Sequence, residues 1–236
     1  LDPSSGWGDR MIGFYASDAA EYMGFDPNID LQPGYNAIIN MFGNAKQHAA
    51  VHPIPFEESE AVIQDKKFEL AMTSPPYFDL EVYVEPGTDS AEQQSVERYP
   101  EFKDWVENMY RPYLTIAVNS LKPGGLFYIY VEDVWHKGKI TVPMKTITEE
   151  ILAELDIKRR KARDIGFIMH NKESKRPTRT RWALCWRKSK YDESGERTTS
   201  ISRNVSGGNT IPSIDNMNNP IHVDSFDAGN KTINIV

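Results

Sequence analysis

Residues 1–8 read LDPSSGWG, and this stretch decides the fold class. Leu1, Asp2 and Pro3 read as the end of a strand, whose beginning we expect upstream of Leu1, and residues 4–8 read as a tight loop of small residues. Glycine at the turn from a strand into a helix lets the backbone approach a ligand closely. The stretch therefore predicts the opening of an α/β unit with a ligand at its loop.

Strands and helices alternate along the chain that follows. Apolar residues at helical spacing predict helices over residues 11–20, 31–46, 99–120 and 147–155. Short apolar runs predict strands over residues 22–25, 50–54, 68–72 and 126–131, and a final strand pair over 165–169 and 182–186. Residues 78–98 are polar and predict a long loop. This order predicts an α/β fold with a doubly wound, mainly parallel sheet and an antiparallel final strand pair.

Composition narrows the class of protein. The chain of 236 residues is 39% apolar, which is enough for one α/β domain with a core. We expect that domain over residues 1–188, and a polar tail or small accessory lobe over residues 189–236. The single cysteine, Cys185, excludes an internal disulfide framework and a cysteine-rich zinc site, so we expect no metal. No run approaches the roughly 20 apolar residues of a membrane span, and the opening residues do not resemble a signal peptide, so we expect a cytoplasmic protein with no membrane association.

Charge is distributed unevenly along the chain. The net charge is -7, yet residues 158–188 contain twelve Lys or Arg and only two acids, Asp164 and Glu173. A local basic face is what phosphate contact requires, although a solvated charge run has the same composition. We predict nucleic-acid contacts from the loop between the last two strands, through Lys175, Arg176, Arg179 and Arg181.

Asp26 ends the second predicted strand. A carboxylate at that place can accept both hydroxyl hydrogens of a ribose, so Asp26 and the glycine loop together suit a nucleoside cofactor. The loop lacks the third glycine of the dinucleotide fingerprint, which disfavours a pyrophosphate. The small cofactor that fits this pattern is S-adenosylmethionine (SAM). Within the loop we predict contacts to SAM from Asp2, Ser4, Ser5, Gly6, Trp7 and Gly8.

The second informative loop, residues 73–77, reads TSPPY and follows a predicted strand. An aromatic amine is a poor nucleophile because its lone pair is delocalised into the ring, and acceptors that hold both N–H hydrogens free that lone pair. We expect the Ser74 hydroxyl and the Pro75 carbonyl to be these acceptors, with Pro76 fixing the backbone. We expect Tyr77 to stack on a base that has left its duplex. The structural alternative is a proline-rich turn.

These stretches together resemble the DNA amino-methyltransferase family. Residues 1–8 look like its SAM-binding motif, residues 22–28 (YMGFDPN) like its ribose-binding strand, and residues 73–77 match its catalytic tetrapeptide with the preceding Thr. Residues 121–130 (LKPGGLFYIY) are similar to the helix end and strand that follow. The resemblance covers about residues 1–188 and implies the Rossmann-like fold of SAM-dependent methyltransferases.

The resemblance also implies further site residues and a reaction. Phe56 and Glu57 follow the third strand, where the family contacts the cofactor adenine, and Phe78 is a candidate for lining the pocket of the target base. Family members with Ser in the first catalytic position often methylate cytosine N4, whereas Asp or Asn is usual for adenine N6. We therefore expect methyl transfer from SAM to cytosine N4 in DNA.

Several alternatives accompany this assignment. The cofactor motif here precedes the catalytic motif, unlike the permuted order common among cytosine-N4 enzymes. Adenine N6 of DNA, an RNA base amine and a protein glutamine amide are alternative targets, because a planar amide nitrogen has the same lone-pair problem. A non-catalytic SAM-binding module is a further alternative. A restriction-linked enzyme and a solitary phage or bacterial enzyme both fit the sequence.

Overall fold

A computed structural model describes residues 1–80, 93–137, 139–155, 160–168, 180–188, 226–227 and 232–233. The chain divides into two units, Leu1–Thr198 and Thr199–Val236. The first half of the first unit contains helix α1 (Asp9–Tyr15), strand β1 (Glu21–Phe25), a 3₁₀ turn (Ile29–Leu31), α2 (Gln32–Phe42), β2 (His48–His52), a second 3₁₀ turn (Phe56–Glu58), α3 (Glu60–Ile63) and β3 (Phe68–Thr73).

The second half of this unit begins with short helices and ends with the last two strands of the sheet. In chain order it contains α4 (Ser95–Arg98), α5 (Phe102–Asp104), a π-helical turn (Trp105–Tyr110), α6 (Arg111–Asn119), β4 (Leu121–Glu132), β5 (Val134–His136), β6 (Lys139–Val142), α7 (Met144–Leu155), β7 (Arg160–Ile168) and β8 (Thr180–Arg187). The second unit, taken by itself, contains the antiparallel pair β9 (Phe226–Asp227) and β10 (Thr232–Ile233).

Leu1 and Asp2 connect the two parts of the main sheet. Asp2 pairs with β1, since its N–H donates to the Met23 carbonyl at 2.8 Å and its carbonyl accepts from the Phe25 N–H at 3.0 Å. On the other side the Leu1 carbonyl accepts from the Met72 N–H of β3 at 3.0 Å. The strand order is therefore β2, β1, residues 1–2, β3, β4, β8, β7. The pairs β1–β2 and β3–β4 are parallel, and β8 is antiparallel to both neighbours, so the predicted sheet is confirmed.

Side chains that alternate along β1 point into two apolar clusters on opposite faces of the sheet. Tyr22 packs with Met11 and Phe14 of α1 and with Tyr35 of α2. The larger cluster contains the next residue, Met23, together with buried residues of α6, α7 and β4. Helices therefore cover both faces, as a doubly wound sheet requires.

The predicted helix over residues 99–120 is interrupted in the structure. It begins at Phe102, contains the π-helical turn Trp105–Tyr110 and ends at Asn119. Trp105, Met109 and Tyr113 are buried, as their helical spacing predicts. The π turn adds one residue to a helical turn, so that Met109 and its neighbour Tyr110 are both buried.

Other element boundaries differ from the predictions for local reasons. The helix predicted over residues 31–46 ends at Phe42, because Gly43 leaves the helical region and the Asn44 side chain accepts from the Lys46 N–H in a turn. The helix predicted over residues 11–20 is Asp9–Tyr15. The predicted loop 78–98 contains α4, and the hairpin of β5 and β6 was not predicted. In the described part of the chain, no helix combines the length and apolar character that crossing a membrane takes.

Candidate functional site

A cavity of about 370 Å³ lies where the parallel strands end. Four loops that each follow a strand contribute to its wall, with Gly6 after residues 1–2, Asp26 after β1, Phe56 after β2 and Ser74 after β3. These strands are neighbours in the sheet, and the carboxyl ends of parallel strands lie at one edge. The volume falls within the range of small-molecule sites. The structure therefore brings the two sequence-predicted loops to one cavity.

The glycine loop and Asp26 form one hydrogen-bonded unit. The two carboxylate oxygens of Asp26 accept from the Gly6 N–H and the Asn28 N–H, each at 2.9 Å. Tyr35 donates its hydroxyl hydrogen to the Gly6 carbonyl at 2.6 Å. Gly6 has a φ of 54°, and no heavy atom lies within 4 Å of the place a Cβ would occupy. The loop is thus held open toward the cavity, and Gly6 adopts a backbone conformation with positive φ that glycine tolerates better than other residues.

Burial changes the ionisation of Asp26. Burial raises the pKa of the carboxyl group above its ordinary value of 3.8. The backbone N–H groups of Asn28 and Gly6 lower this pKa, but their effect is smaller than that of burial. Each carboxylate oxygen accepts one backbone N–H and has a second lone-pair direction. Asp26 can therefore accept hydroxyl hydrogens of a ligand in the cavity while it shapes the loop.

Two residues predicted to contact the cofactor instead support the loop. Asp2 is 2% exposed and does not line the cavity. Its Oδ2 accepts from the Tyr22 hydroxyl at 2.6 Å and from Nε of Arg10 at 2.9 Å. Gly8 has a φ of 85°, and a Cβ there would lie 2.6 Å from Cδ1 of Ile38, so Gly8 permits close packing of α1 on α2. Neither Asp2 nor Gly8 is part of the cavity wall, and their contacts with SAM stay predictions.

The remaining loop residues face the cavity. Ser4, Ser5 and Trp7 line it, and the Trp7 side chain is 80% exposed at its opening. Arg10 lines it as well, and its guanidinium also donates to the Ser4 carbonyl. Sequence reasoning missed Arg10, because a basic residue in the first turn of a helix carries no motif of its own.

Phe56 and Glu57 form the wall contributed by the loop after β2. Phe56 is buried between Phe25 and Tyr113, with ring centroids 5.1 and 5.0 Å away in edge-to-face arrangements. Glu57 is paired with Arg98 of α4, whose Nη1 lies 2.8 Å from its Oε1. Burial raises the pKa of Glu57, and the charge of Arg98 opposes that shift. One of the two oxygens that could meet an adenine amine is therefore already engaged.

The hydroxyl of Ser74 is oriented by Tyr77. The Ser74 Oγ lies 2.7 Å from the Tyr77 hydroxyl, which donates to the Tyr130 carbonyl of β4 at 3.0 Å. Because the single proton of Tyr77 goes to that carbonyl, Ser74 donates to Tyr77, and the lone pairs of Ser74 serve as acceptors. Ser74 lines the cavity, so these acceptors belong to its wall.

The prolines and Tyr77 differ in their access to the cavity. Pro76 lines it, whereas Pro75 is buried and is not part of the wall. The Tyr77 ring is 5% exposed and belongs to the apolar core. Its stacking on a target base stays a prediction, while its hydroxyl bonds to Ser74 and to the Tyr130 carbonyl.

Tyr113 of α6 joins the glycine loop (residues 4–8) to the loop of residues 73–77, and sequence reasoning treated it only as a core residue. Its hydroxyl lies 2.8 Å from the Ser4 Oγ and 2.6 Å from the Thr73 Oγ1. It lines the cavity and is 1% exposed, and burial raises its pKa, so the hydroxyl keeps its proton. The one signal in the sequence is that Tyr113 carries a hydroxyl group among the apolar residues that line the buried face of this helix.

Of the residues predicted to bind nucleic acid, some lie away from the cavity and others lie outside the described residues. Phe78 packs against Phe102 and Trp105, with ring centroids 5.3 and 5.7 Å away, and does not line the cavity. Lys175, Arg176 and Arg179 lie outside the described residues. Arg181 lies in β8 opposite Glu132, at the end of β4.

Three solved structures share this architecture. A protein from Thermoplasma acidophilum described as a methyltransferase is 11% identical with a TM-score of 0.50, and the match covers 80% of this chain and 67% of that protein. A protein from Clostridium thermocellum described as an rRNA methylase is 14% identical with a TM-score of 0.50, over 79% of this chain and 86% of that one. TrmN from Thermus thermophilus is 10% identical with a TM-score of 0.50, over 80% of this chain and 43% of its own.

The chain has the Rossmann-like fold of the SAM-dependent methyltransferases. No protein-family model matches the sequence, and neither does any curated protein. The residues of the cavity suit a nucleoside. Asp26 supplies acceptors for ribose hydroxyls, Phe56 supplies an apolar wall, and the open space at Gly6 admits a ligand close to the backbone. The fold and the donor set therefore agree with SAM as a ligand.

Proposed function

We propose that this protein transfers a methyl group from SAM to an exocyclic amino group of a nucleic-acid base, with cytosine N4 in DNA as the expected target. One observation carries the proposal. Ser74, with its acceptor lone pairs set by Tyr77, faces the same cavity as Gly6 and Asp26. A site for amine methylation needs an acceptor for the amine and a place for the methyl donor at one cavity, and this cavity supplies both.

The residues that would hold SAM are Gly6 and Asp26 on the ribose side and Phe56 with Glu57 on the adenine side. SAM bound there supplies a methyl group on a positively charged sulfur. The carboxylate of Asp26, fixed by two backbone N–H groups, accepts from the ribose hydroxyls and sets the position of the cofactor. Holding both partners at one geometry is itself a major part of the rate enhancement.

Ser74 acts on the target amine. Its oxygen accepts one N–H of the amine, which favours a pyramidal nitrogen and leaves the lone pair free to attack the methyl group. The acceptor is pre-organised, since Tyr77 and the Tyr130 carbonyl fix the hydroxyl before substrate arrives. The second N–H has its proposed acceptor in the Pro75 carbonyl, but Pro75 is not part of the cavity wall, so the proposal rests on Ser74.

The charge distribution favours nucleic acid over protein as substrate. The basic loop, residues 169–179, contains four Lys or Arg and one acid in a chain whose net charge is -7. The strand ends joined by the basic loop, Ile168 and Thr180, lie at the sheet edge that also holds Ser74. Phosphates beside a bound base would meet positive charge at that edge.

The test is mass analysis of nucleosides from DNA and RNA incubated with the full chain and isotope-labelled SAM. We expect label in N4-methylcytosine from DNA. Ser74→Ala should bind SAM normally and methylate at least tenfold more slowly, about the effect of one lost transition-state acceptor. Ser17→Ala is the matched control, because Ser17 is exposed and the described partners of its hydroxyl, the Phe14 carbonyl and the Ala19 N–H, belong to its own turn. Label in N6-methyladenine, in RNA or in a glutamine side chain would move the target, and an equal rate for Ser74→Ala would refute its role.

A further inference from the structure

We propose that the hairpin of β5 and β6 is a nucleotide-binding platform, on which Trp135 stacks a base of the substrate strand while Lys137 and Lys139 contact its phosphates. The inference rests on the proposed function and names the surface that holds the nucleic acid beside the target base. The hairpin spans residues 134–142, and its sequence, VWHKGKITV, contains no acidic residue.

The two faces of the hairpin differ in chemistry. Trp135 pairs across the strands with Ile140, and the two side chains are 43% and 45% exposed. Cross-strand partners lie on the same face, so these residues form an exposed apolar surface with an aromatic ring. His136 pairs with Lys139, and both are exposed, as is Lys137 at the tip. The ring therefore lies on one face and Lys139 on the other, with Lys137 at the tip, so a strand that crosses the tip could stack a base on Trp135 and meet both lysines. Proteins use stacking and cations together for single-stranded nucleic acid.

The root of the hairpin is fixed while its tip is exposed. Val134 and Val142 are 6% and 3% exposed and belong to the main core. Asp133, just before the hairpin, accepts from the Lys145 N–H of α7 at 3.0 Å, just after it. This bond joins the two ends of the hairpin segment, and through it Asp133 caps the first turn of α7. The platform is therefore held in one orientation before a ligand arrives, which lowers the entropy cost of binding.

The hairpin follows the strand next to the catalytic loop. Thr73 of β3 pairs with Ile129 of β4, and the Tyr77 hydroxyl donates to the Tyr130 carbonyl at 3.0 Å. Trp135 follows Tyr130 by five residues, so at about 3.3 Å per residue it lies within roughly 20 Å of the catalytic loop. A strand with its target base in the cavity could therefore place a neighbouring nucleotide on the hairpin.

The experiment measures the affinity of the full chain for a fluorescent single-stranded oligonucleotide at several salt concentrations. Trp135→Ala should weaken binding about tenfold to a hundredfold, from lost base stacking, and Trp135→Phe should retain most of the affinity. Lys137→Gln with Lys139→Gln should reduce the salt slope by about 1.4 units, since each lost phosphate contact on a single strand contributes about 0.7. SAM affinity should stay unchanged in every variant.

Met41→Ala is the matched control for loss of an exposed apolar side chain. Met41 is 75% exposed near the end of α2, at the opposite edge of the sheet, and its loss should leave oligonucleotide affinity unchanged. If the parent chain binds and methylates nucleic acid while the hairpin variants bind equally well, the platform is refuted and the proposed function stands. If the parent chain binds SAM but neither binds nor methylates nucleic acid, the proposed function fails, and the platform fails with it.

Discussion

The hydroxyl of Tyr113 joins the two loops whose alignment decides methyl transfer, through Ser4 on one side and Thr73 on the other. Tyr113→Phe removes that link and leaves the buried Thr73 hydroxyl and the half-buried Ser4 hydroxyl each short of a partner, so we expect a loss of about 1–3 kcal/mol in the free energy of unfolding. We also expect methyl transfer to fall about tenfold, because the catalytic loop loses its connection to the cofactor loop.

Tyr110→Phe is a closely matched control for that prediction. Tyr110 is also fully buried, and its hydroxyl lies 2.6 Å from a threonine, Thr148, but it does not line the cavity. It should lose similar stability in urea unfolding and methylate at close to the parent rate. Equal rates for the two variants would mean that the Tyr113 hydroxyl only stabilises the fold.

Asp26 combines a structural and a ligand-binding role, and pH can distinguish them. Asp26→Ala should weaken SAM binding by about 1–3 kcal/mol, the cost of a lost charged acceptor. Asp26→Asn keeps one acceptor oxygen and should lose less. Burial raises the pKa of Asp26 above 3.8. Protonation therefore begins at a higher pH than in an exposed aspartate, and SAM affinity should fall as the pH decreases through that raised pKa. Calorimetry at several pH values measures both effects, and unchanged affinity in folded Asp26→Ala would contradict the assignment.

At the scale of elements, the start of α4 forms part of the cavity wall, and we expect it to close the cavity over bound SAM. Gln94 and Ser95 line the cavity, and Arg98 ties the helix to Glu57 at 2.8 Å and also to Glu58. Arg98→Gln leaves the Glu57 carboxylate, whose side chain is only 6% exposed, without its cationic partner. We expect a stability loss of about 1–3 kcal/mol and faster dissociation of SAM in stopped-flow measurements.

Arg111→Gln tests whether any arginine ion pair has the same effect. Arg111 pairs with Glu107 and Glu154, whose side chains are 50% and 61% exposed, so solvent screens both pairs. This variant should change stability by less than about 1 kcal/mol and leave SAM dissociation unaltered. Equal SAM release from both variants would show that α4 does not close the cavity.

Elements whose pattern is local and periodic were predictable, and elements set by distant contacts were not. The strands over residues 22–25 and 68–72 and the buried stripe of Trp105, Met109 and Tyr113 follow from periodicity alone. The β5–β6 hairpin lacks a turn signal such as Asn-Gly and was missed. Asp2 read as a ligand-binding residue because its spacing matches a motif, yet its carboxylate is taken up by Arg10 and Tyr22. Spacing in the sequence correctly predicts the edge of the sheet at which a residue lies. The neighbours that pack around the residue decide where its side chain points.

At the scale of the whole molecule, the basic segment extends to both ends of β7 and β8, and only the loop between these strands starts and ends at the edge that holds the cavity. The chain carries a net charge of -7, whereas residues 158–188 carry twelve basic residues and two acids. Ile168 and Thr180 pair with each other at the ends of β7 and β8, and Arg181 pairs with Glu132 at the end of β4. The loop between those two strands therefore leaves from the same edge as Ser74 and the β5–β6 hairpin.

We predict that the basic loop between β7 and β8 contacts phosphates and does not recognise particular bases. Neutralising two of Lys175, Arg176, Arg179 and Arg181 should weaken binding to all DNA sequences alike and reduce the salt slope by about one unit per lost contact. Lys66→Gln with Lys67→Gln is the control, because both lysines precede β3 at the opposite edge of the sheet, and the slope should then stay at its parent value. Fluorescence anisotropy over a salt series, with two unrelated duplexes, measures both quantities. An unchanged slope in the loop variants would show a solvated charge run, whereas a loss confined to one duplex would show that the loop reads sequence.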